Sequence, residues 1–217
     1  MAKRLFFILL CIILIVALTA CDKKEATNMV LSGGYTTIEE IPAAKTDIPA
    51  DYQTASPKSG DTVAILHTNR GDISIRFFPE VAPIAVNSFI ALAKADKFNN
   101  TIFHRVINNF MIQGGDYTNF NGTGGASVYG REFKLETNDN VHNCAGSVAM
   151  ANRGPGTNGS QFYINQVDNN YLDGSYTVFG QVYDGMDVVN TICGVQTDMM
   201  DKPLNDVVVD SIEITTY

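Results

Sequence analysis

Thr62-Val-Ala-Ile-Leu-His67-Thr-Asn-Arg-Gly-Asp72-Ile-Ser-Ile-Arg-Phe-Phe78 reads as two strands around a turn. Asn69-Arg70-Gly71 puts a glycine where a tight hairpin most easily takes a positive φ. Ile73, Ile75 and Phe77 alternate with Ser74 and Arg76, which predicts one buried face on the second strand. Working outward, Pro83 opens a segment from Ile84 to Ala95 in which Val86, Phe89, Ile90, Leu92 and Ala93 recur at helical spacing. A second helix is predicted from Gly185 to Ile192, with Met186, Val188, Val189 and Ile192 on its apolar side and Gly194 near its end. Val207 to Thr215 reads as a final strand. Short strands, frequent turns and two helices predict a mainly β antiparallel barrel or sandwich and exclude a βαβ fold.

The bulk chemistry narrows the function. Fifteen Lys+Arg against 23 Asp+Glu give a net charge of −8 and a pI near 4.7, which disfavours nucleic acid as a partner. Apolar residues make up 45% and charged residues 18% of the 217, enough for a real core and too few charges for a disordered chain. Cys11, Cys21, Cys144 and Cys193 form no C-x-x-C pair, which removes the zinc-ribbon and dithiol readings. His67, His104 and His142 are too scattered in sequence to argue for zinc.

The N-terminus is of another kind. Lys3 and Arg4 precede an uncharged apolar run, Leu5 to Leu18, shorter than the roughly 20 residues that span a bilayer. A positive start, a short apolar run and small residues after it make a secretory signal over residues 1–20. Leu18-Thr19-Ala20-Cys21 resembles the lipobox of bacterial lipoproteins, in which the cysteine becomes the lipid-modified first residue. The alternative is a plain signal peptide cut after Ala20. Loss of Lys3 and Arg4 takes the net charge from −8 to −10, so an acidic mature chain needs a hydrophobic anchor rather than an electrostatic one. Residues 21–60 show no sustained period and contain Gly33-Gly34, Pro42, Pro49, Pro57 and Gly60, the texture of a flexible tether with a reach of roughly 35 Å. The domain proper is expected over 61–217.

Phe103-His104-Arg105-Val106-Ile107-Asn108-Asn109-Phe110-Met111-Ile112-Gln113-Gly114-Gly115-Asp116 resembles the signature of cyclophilin-type peptidyl-prolyl isomerases. So does Met150-Ala151-Asn152-Arg153-Gly154-Pro155 running into Asn158-Gly159-Ser160-Gln161-Phe162-Tyr163-Ile164. Asn121-Gly122-Thr123-Gly124-Gly125, Leu172-Asp173-Gly174 and Val178-Phe179-Gly180 follow in the family's order, so the resemblance covers essentially all of 61–217. It implies a closed eight-stranded antiparallel barrel capped by two helices. It also implies partners that are X-Pro-containing polypeptides, and a monomer is expected.

The chemistry such a family performs explains the residue types. Rotation about an X-Pro amide meets a barrier of about 18–20 kcal/mol because resonance stiffens the C–N bond. No bond need break, so no nucleophile, metal or cofactor is called for. An arginine that donates to the nitrogen lone pair, present only in the twisted amide, binds the transition state selectively. By the resemblance Arg105 is that arginine, with Gln113 and Phe110 beside it. Phe110, Met111, Tyr163 and Leu172 match positions lining a proline pocket; by composition alone all four read as core. Gln113, Asn152 and Gln161 match groups that hold substrate backbone, with Gly122 and Ala151 also at the groove. The alternative for Asn152 is local turn hydrogen bonding. His104 is structural in the family.

Departures from the family pattern carry their own expectations. Tyr163 replaces a frequent Phe, so its hydroxyl must find water or a partner. Tyr171 stands where many eukaryotic members carry the Trp that contacts cyclosporin, and weak cyclosporin binding is expected. Tyr176 replaces a His at the end of the groove, and Arg153 adds a positive charge at its edge. Cys144 and Cys193 are open to pairing in an oxidising compartment or to burial as small hydrophobes. The competing functional class is a chaperone module that binds Pro-containing segments without turnover.

Overall fold

The computed structural model describes Ile38 and residues 41–217. The expected signal segment, Cys21 and the start of the tether lie outside the described residues. The hairpin forms as read: β1 (Thr62–Thr68) and β2 (Gly71–Phe77) pair antiparallel, leaving only Asn69 and Arg70 in the loop. Gly71 has φ 126°, a value open to glycine and strained for other residues. The chain continues through α1 (Pro83–Lys94), β3 (Thr101–Ile102), β4 (Arg105–Ile107), β5 (Met111–Gly114), β6 (Ser147–Met150) and β7 (Phe162–Asn165). A 3₁₀ turn (Asn170–Leu172), β8 (Val178–Asp184), α2 (Met186–Cys193) and β9 (Val208–Thr216) complete it.

All pairings are antiparallel, in the order β3-β9-β1-β2-β8-β6-β7-β5-β4. Nine strands stand where eight were expected. The two end strands, β3 and β4, are separated in the chain by only Phe103 and His104, so they are halves of one bent strand. Counted as one, they give eight strands, and the chain itself joins the two ends of the sheet. The bend occurs because the first half bonds to β9, with Phe103 N–H reaching Val207 O at 2.9 Å, while the second pairs with β5.

The core follows the period-2 pattern. Ala64, Leu66, Ile73, Ile75 and Phe77 are buried, and α1 seats Phe89 among Phe77, Phe98, Phe162 and Phe179, with ring centroids 5.0–5.7 Å apart. Each such aromatic pair adds about 0.5–1.5 kcal/mol beyond burial. Pro83 occupies the first turn of α1, and no local side chain caps the helix. The buried carboxylate of Glu136 does so from a distance, accepting Ile84 N–H at 3.1 Å and Ala85 N–H at 2.9 Å. Burial pushes that carboxyl's pKa upward against those two bonds.

The boundary at residue 60 needs correction. Residues 41–60, expected in the flexible tether, lie against the barrel as a strap. Ile48 is buried in a cluster with Phe78, Val81, Val141 and Val178, which also holds Met111 and Tyr163. Gln53, also buried, donates to His142 O at 2.8 Å and accepts from His142 N–H at 2.8 Å. Arg76, on the face of β2 expected to meet solvent, donates to Tyr52 O at 2.7 Å and Ala55 O at 3.3 Å and lies over the Tyr52 ring. The strap escapes pattern reading because Ile48, the Tyr52 ring, the Gln53 amide and several backbone carbonyls, rather than a periodic face, hold it down.

Candidate functional site

The register of three strands builds the site. Arg105 on β4 pairs with Gln113 on β5, and Gln113 pairs with Tyr163 on β7. Directly opposed residues share a face of the sheet, so the three side chains stand in one row. Met111 lies two residues from Gln113 and joins the same face. Phe110 N–H bonds back to Ile107 O at 3.1 Å, closing a turn that includes Asn109 at φ 59°. This turn delivers Phe110 to the edge of the row.

The row borders a cavity of about 130 Å³ lined by Arg105, Phe110, Met111, Gln113, Ala151, Asn152, Tyr163, Leu172 and Tyr176. Its buried members are Met111 and Tyr163, with Phe110, Leu172 and Tyr176 half-buried around them. The Tyr163 hydroxyl finds its partner below, donating to Asn143 Oδ1 at 2.7 Å, and burial raises its pKa strongly. Tyr176 meets the Tyr163 ring edge to face at 5.7 Å. Tyr171 lines neither this cavity nor the next one; it is 73% exposed and stacks on Phe110 at 6.4 Å.

A second cavity, about 310 Å³, shares Gln113, Ala151 and Asn152 and extends past Gly122 and Gln161 to Arg153 and Glu132. Gly122 and Gln161 therefore belong to this adjoining space rather than to the smaller pocket. Arg153 Nη2 meets Glu132 Oε1 at 3.0 Å across its exposed rim, so the expected extra charge is paired. Asn152 makes the local bonds of its alternative reading: its Oδ1 accepts Gly154 N–H at 3.1 Å and its Nδ2 donates to Ser175 O at 3.1 Å.

Polar groups run between the two cavities as a fixed chain. Gln113 Nε2 donates to Gln161 Oε1 at 2.9 Å, and Gln161 Nε2 donates to Gly122 O at 2.9 Å and Gly124 O at 2.8 Å. The loop carrying those carbonyls is folded around Asp116. Its Oδ1 accepts the N–H groups of Thr118 at 3.1 Å and Asn119 at 3.0 Å; its Oδ2 accepts those of Gly122 at 2.9 Å and Gly124 at 3.0 Å. Burial alone would raise this carboxyl's pKa, but the backbone donors outweigh it and hold it down at about 2. Gly122, at φ 88°, lies so near His104 that a Cβ there would come within 2.7 Å of the imidazole. His104 is buried with no hydrogen-bond partner on either ring nitrogen among the described residues, and burial lowers its pKa.

Three acidic or amide groups at this site have no counterpart in the sequence reading. Asn143 supports Tyr163, Asp116 folds the loop behind Gln161, and Asp201 reaches Arg105, with Oδ2 3.4 Å from Nε. Asp116 carries a usable signal, an aspartate before a run of Asn, Thr and Gly that favours side-chain-to-backbone turns. Asp201 carries none, since 96 residues separate it from its partner. Cys144 and Cys193 are both free thiols. Among the described residues no group of three or more His, Cys, Asp or Glu side chains could hold a metal ion.

Comparison with known proteins agrees with this geometry. Residues 63–214 match the family model described as cyclophilin type peptidyl-prolyl cis-trans isomerase. Peptidyl-prolyl cis-trans isomerase 9 of Schizosaccharomyces pombe is 47% identical over 152 residues, covering 70% of this chain and 25% of that protein. A Staphylococcus aureus (strain USA300) protein, provisionally named for the same activity, is 40% identical over 185 residues, 72% of this chain and 93% of its own. The crystal structure of a Cryptosporidium parvum cyclophilin type isomerase superposes with TM-score 0.70 at 36% identity, covering 72% of this chain and 99% of its own. A structure of that protein in the presence of the dipeptide Ala-Pro gives a TM-score of 0.69. The chain belongs to the cyclophilin-type peptidyl-prolyl cis-trans isomerase family.

Proposed function

We propose that this isomerase turns over X-Pro bonds in exported or surface proteins, held at a bacterial membrane outside the cytoplasm by a lipid on Cys21. The observation that carries the catalytic part is the placement of Arg105 at the edge of the small cavity floored by Met111 and Tyr163. The proline ring fills that cavity, and Phe110 and Leu172 close its sides. Gln113 and the backbone near Ala151 and Asn152 hold the flanking chain, while the carbonyl before proline stays free to swing. As the amide twists, its nitrogen loses resonance and gains a lone pair, to which the Arg105 guanidinium donates. That bond exists only near the transition state, so it lowers the barrier without tightening the ground state. The Ala-Pro dipeptide present with the C. parvum relative supports a proline-containing partner.

The test is a protease-coupled isomerisation assay on the full chain in detergent, with Arg105→Ala beside it. Turnover cut at least 100-fold in the variant, with peptide binding within a few-fold, supports catalysis by Arg105. Binding without turnover in the parent chain would instead make it a chaperone module. The anchor rests on Leu18-Thr19-Ala20-Cys21. Incorporation of labelled palmitate in the expressing cells, lost in Cys21→Ser, supports it; an unlabelled chain in the soluble fraction overturns it. Tyr171, exposed and stacked on Phe110, supports weak cyclosporin binding, and nanomolar inhibition would overturn that.

A further inference from the structure

The guanidinium of Arg105 has its ion pair, among the described residues, with Asp201 through Nε alone. Arg105 also lines the smaller cavity. We infer that Asp201 is a positioning residue for Arg105, fixing the plane of the guanidinium so that its Nη donors meet the twisted amide. The inference rests on the reading of Arg105 as the catalytic side chain.

The loop around Asp201 is built for one placement. Asp201 takes φ 65°, the left-handed region that, glycine apart, Asn and Asp tolerate best. Asp198 holds the loop from within: its Oδ1 accepts Met200 N–H at 2.8 Å and Lys202 N–H at 3.0 Å, and its own N–H donates to Lys202 O at 2.8 Å. Leu204 N–H closes the base on Gln196 O at 2.9 Å. Asp201 then docks on β4 at two points, its carbonyl on Val106 N–H at 2.8 Å and its carboxylate on Arg105 Nε at 3.4 Å. The neighbouring cation, Lys202, is occupied elsewhere, 3.5 Å from Asp206. An arginine on a free strand would sweep many rotamers; one pinned at Nε keeps its planar fork pre-organised.

The experiment uses the full chain in detergent with Asp201→Gly and Asp201→Asn, both of which tolerate the left-handed backbone and so keep the loop. Each is combined with Arg105→Lys, which lacks an Nε–H of the same geometry. Expected for Asp201→Gly are a kcat loss of about 5- to 20-fold, KM within twofold, and an unchanged melting temperature. The ¹⁵N-labelled Arg105 Nε–H resonance is expected to exchange slowly in the parent chain and freely in this variant. In the Arg105→Lys background the same change is expected to cost less than twofold. An unchanged or raised kcat in Asp201→Gly, or an equal loss in both backgrounds, overturns the assignment. If Arg105→Lys itself retains full activity, the reading of Arg105 has failed, and the inference falls with it for that separate reason.

Discussion

Tyr163 and Asn143 are joined under the small cavity by a 2.7 Å hydrogen bond, so the phenol that departs from the family's usual Phe is anchored rather than left as a buried orphan. The ring serves the pocket and the hydroxyl serves the fold. Tyr163→Phe is therefore expected to leave kcat/KM within about twofold. Asn143 Oδ1 keeps only a long contact from Asn165 Nδ2, at 3.4 Å, so stability should fall by about 1 kcal/mol. Urea unfolding beside the isomerisation assay reads both numbers.

Asp116 ties acid stability to the groove. Its folded pKa, about 2, lies below the ordinary 3.8 because backbone N–H groups outweigh the cost of burial. A depressed carboxyl contributes stability that is complete above the unfolded pKa and lost as pH falls through the folded one. The expected contribution is about 2 kcal/mol, present above pH 4 and gone by about pH 2. Asp116→Asn should remove that slope and, by loosening Gly122 and Gly124 behind Gln161, raise KM several-fold. Unfolding curves between pH 2 and 5, parent against variant, check the slope.

His67 has the opposite sign. It sits 2.9 Å from Asp72 and 3.6 Å from Glu213, and the hydrogen bond to Asp72 leads in raising its pKa, against a smaller effect of burial. A raised imidazole contributes stability that is full below pH 6.5 and lost as pH rises through the folded pKa. The melting temperature should thus fall slightly from pH 6 to pH 8, and His67→Gln should flatten that fall. Solvent screening keeps the effect small. A parent chain as flat as the variant would contradict it.

The strap makes the choice of domain boundary a stability question. Ile48→Ala should cost about 2–5 kcal/mol, the range for truncating a buried aliphatic side chain. A chain starting at residue 61 should be less stable than one starting at residue 37. Its isomerase activity should fall too, since Ile48 shares a packed cluster with Met111 and Tyr163. Parallel urea titrations of the two chains, with activity measured at each start point, read both effects.

Local pattern made the elements legible and left their long-range partners hidden. Strand alternation located β1 and β2, and proline placement with helical spacing located α1, because these signals live within a few residues of one another. Motif order along 103–180 placed Arg105, Phe110, Met111, Gln113, Asn152, Tyr163 and Leu172, all of which line one cavity. The partners of Arg76, Tyr52 O and Ala55 O, are backbone atoms with no sequence signature. Glu136 capping α1 and Asp201 holding Arg105 are pairings across 51 or more residues, set by topology alone.

The bent strand made of β3 and β4 leaves the sheet little open edge. An open sheet presents unpaired N–H and C=O groups that can recruit an extended polypeptide as an extra strand. Here the terminal strands are two and three residues long and belong to the same stretch of chain, and the outer side of β4 is taken up by Asp201. An extended client thus finds a groove to lie in and little ladder to join.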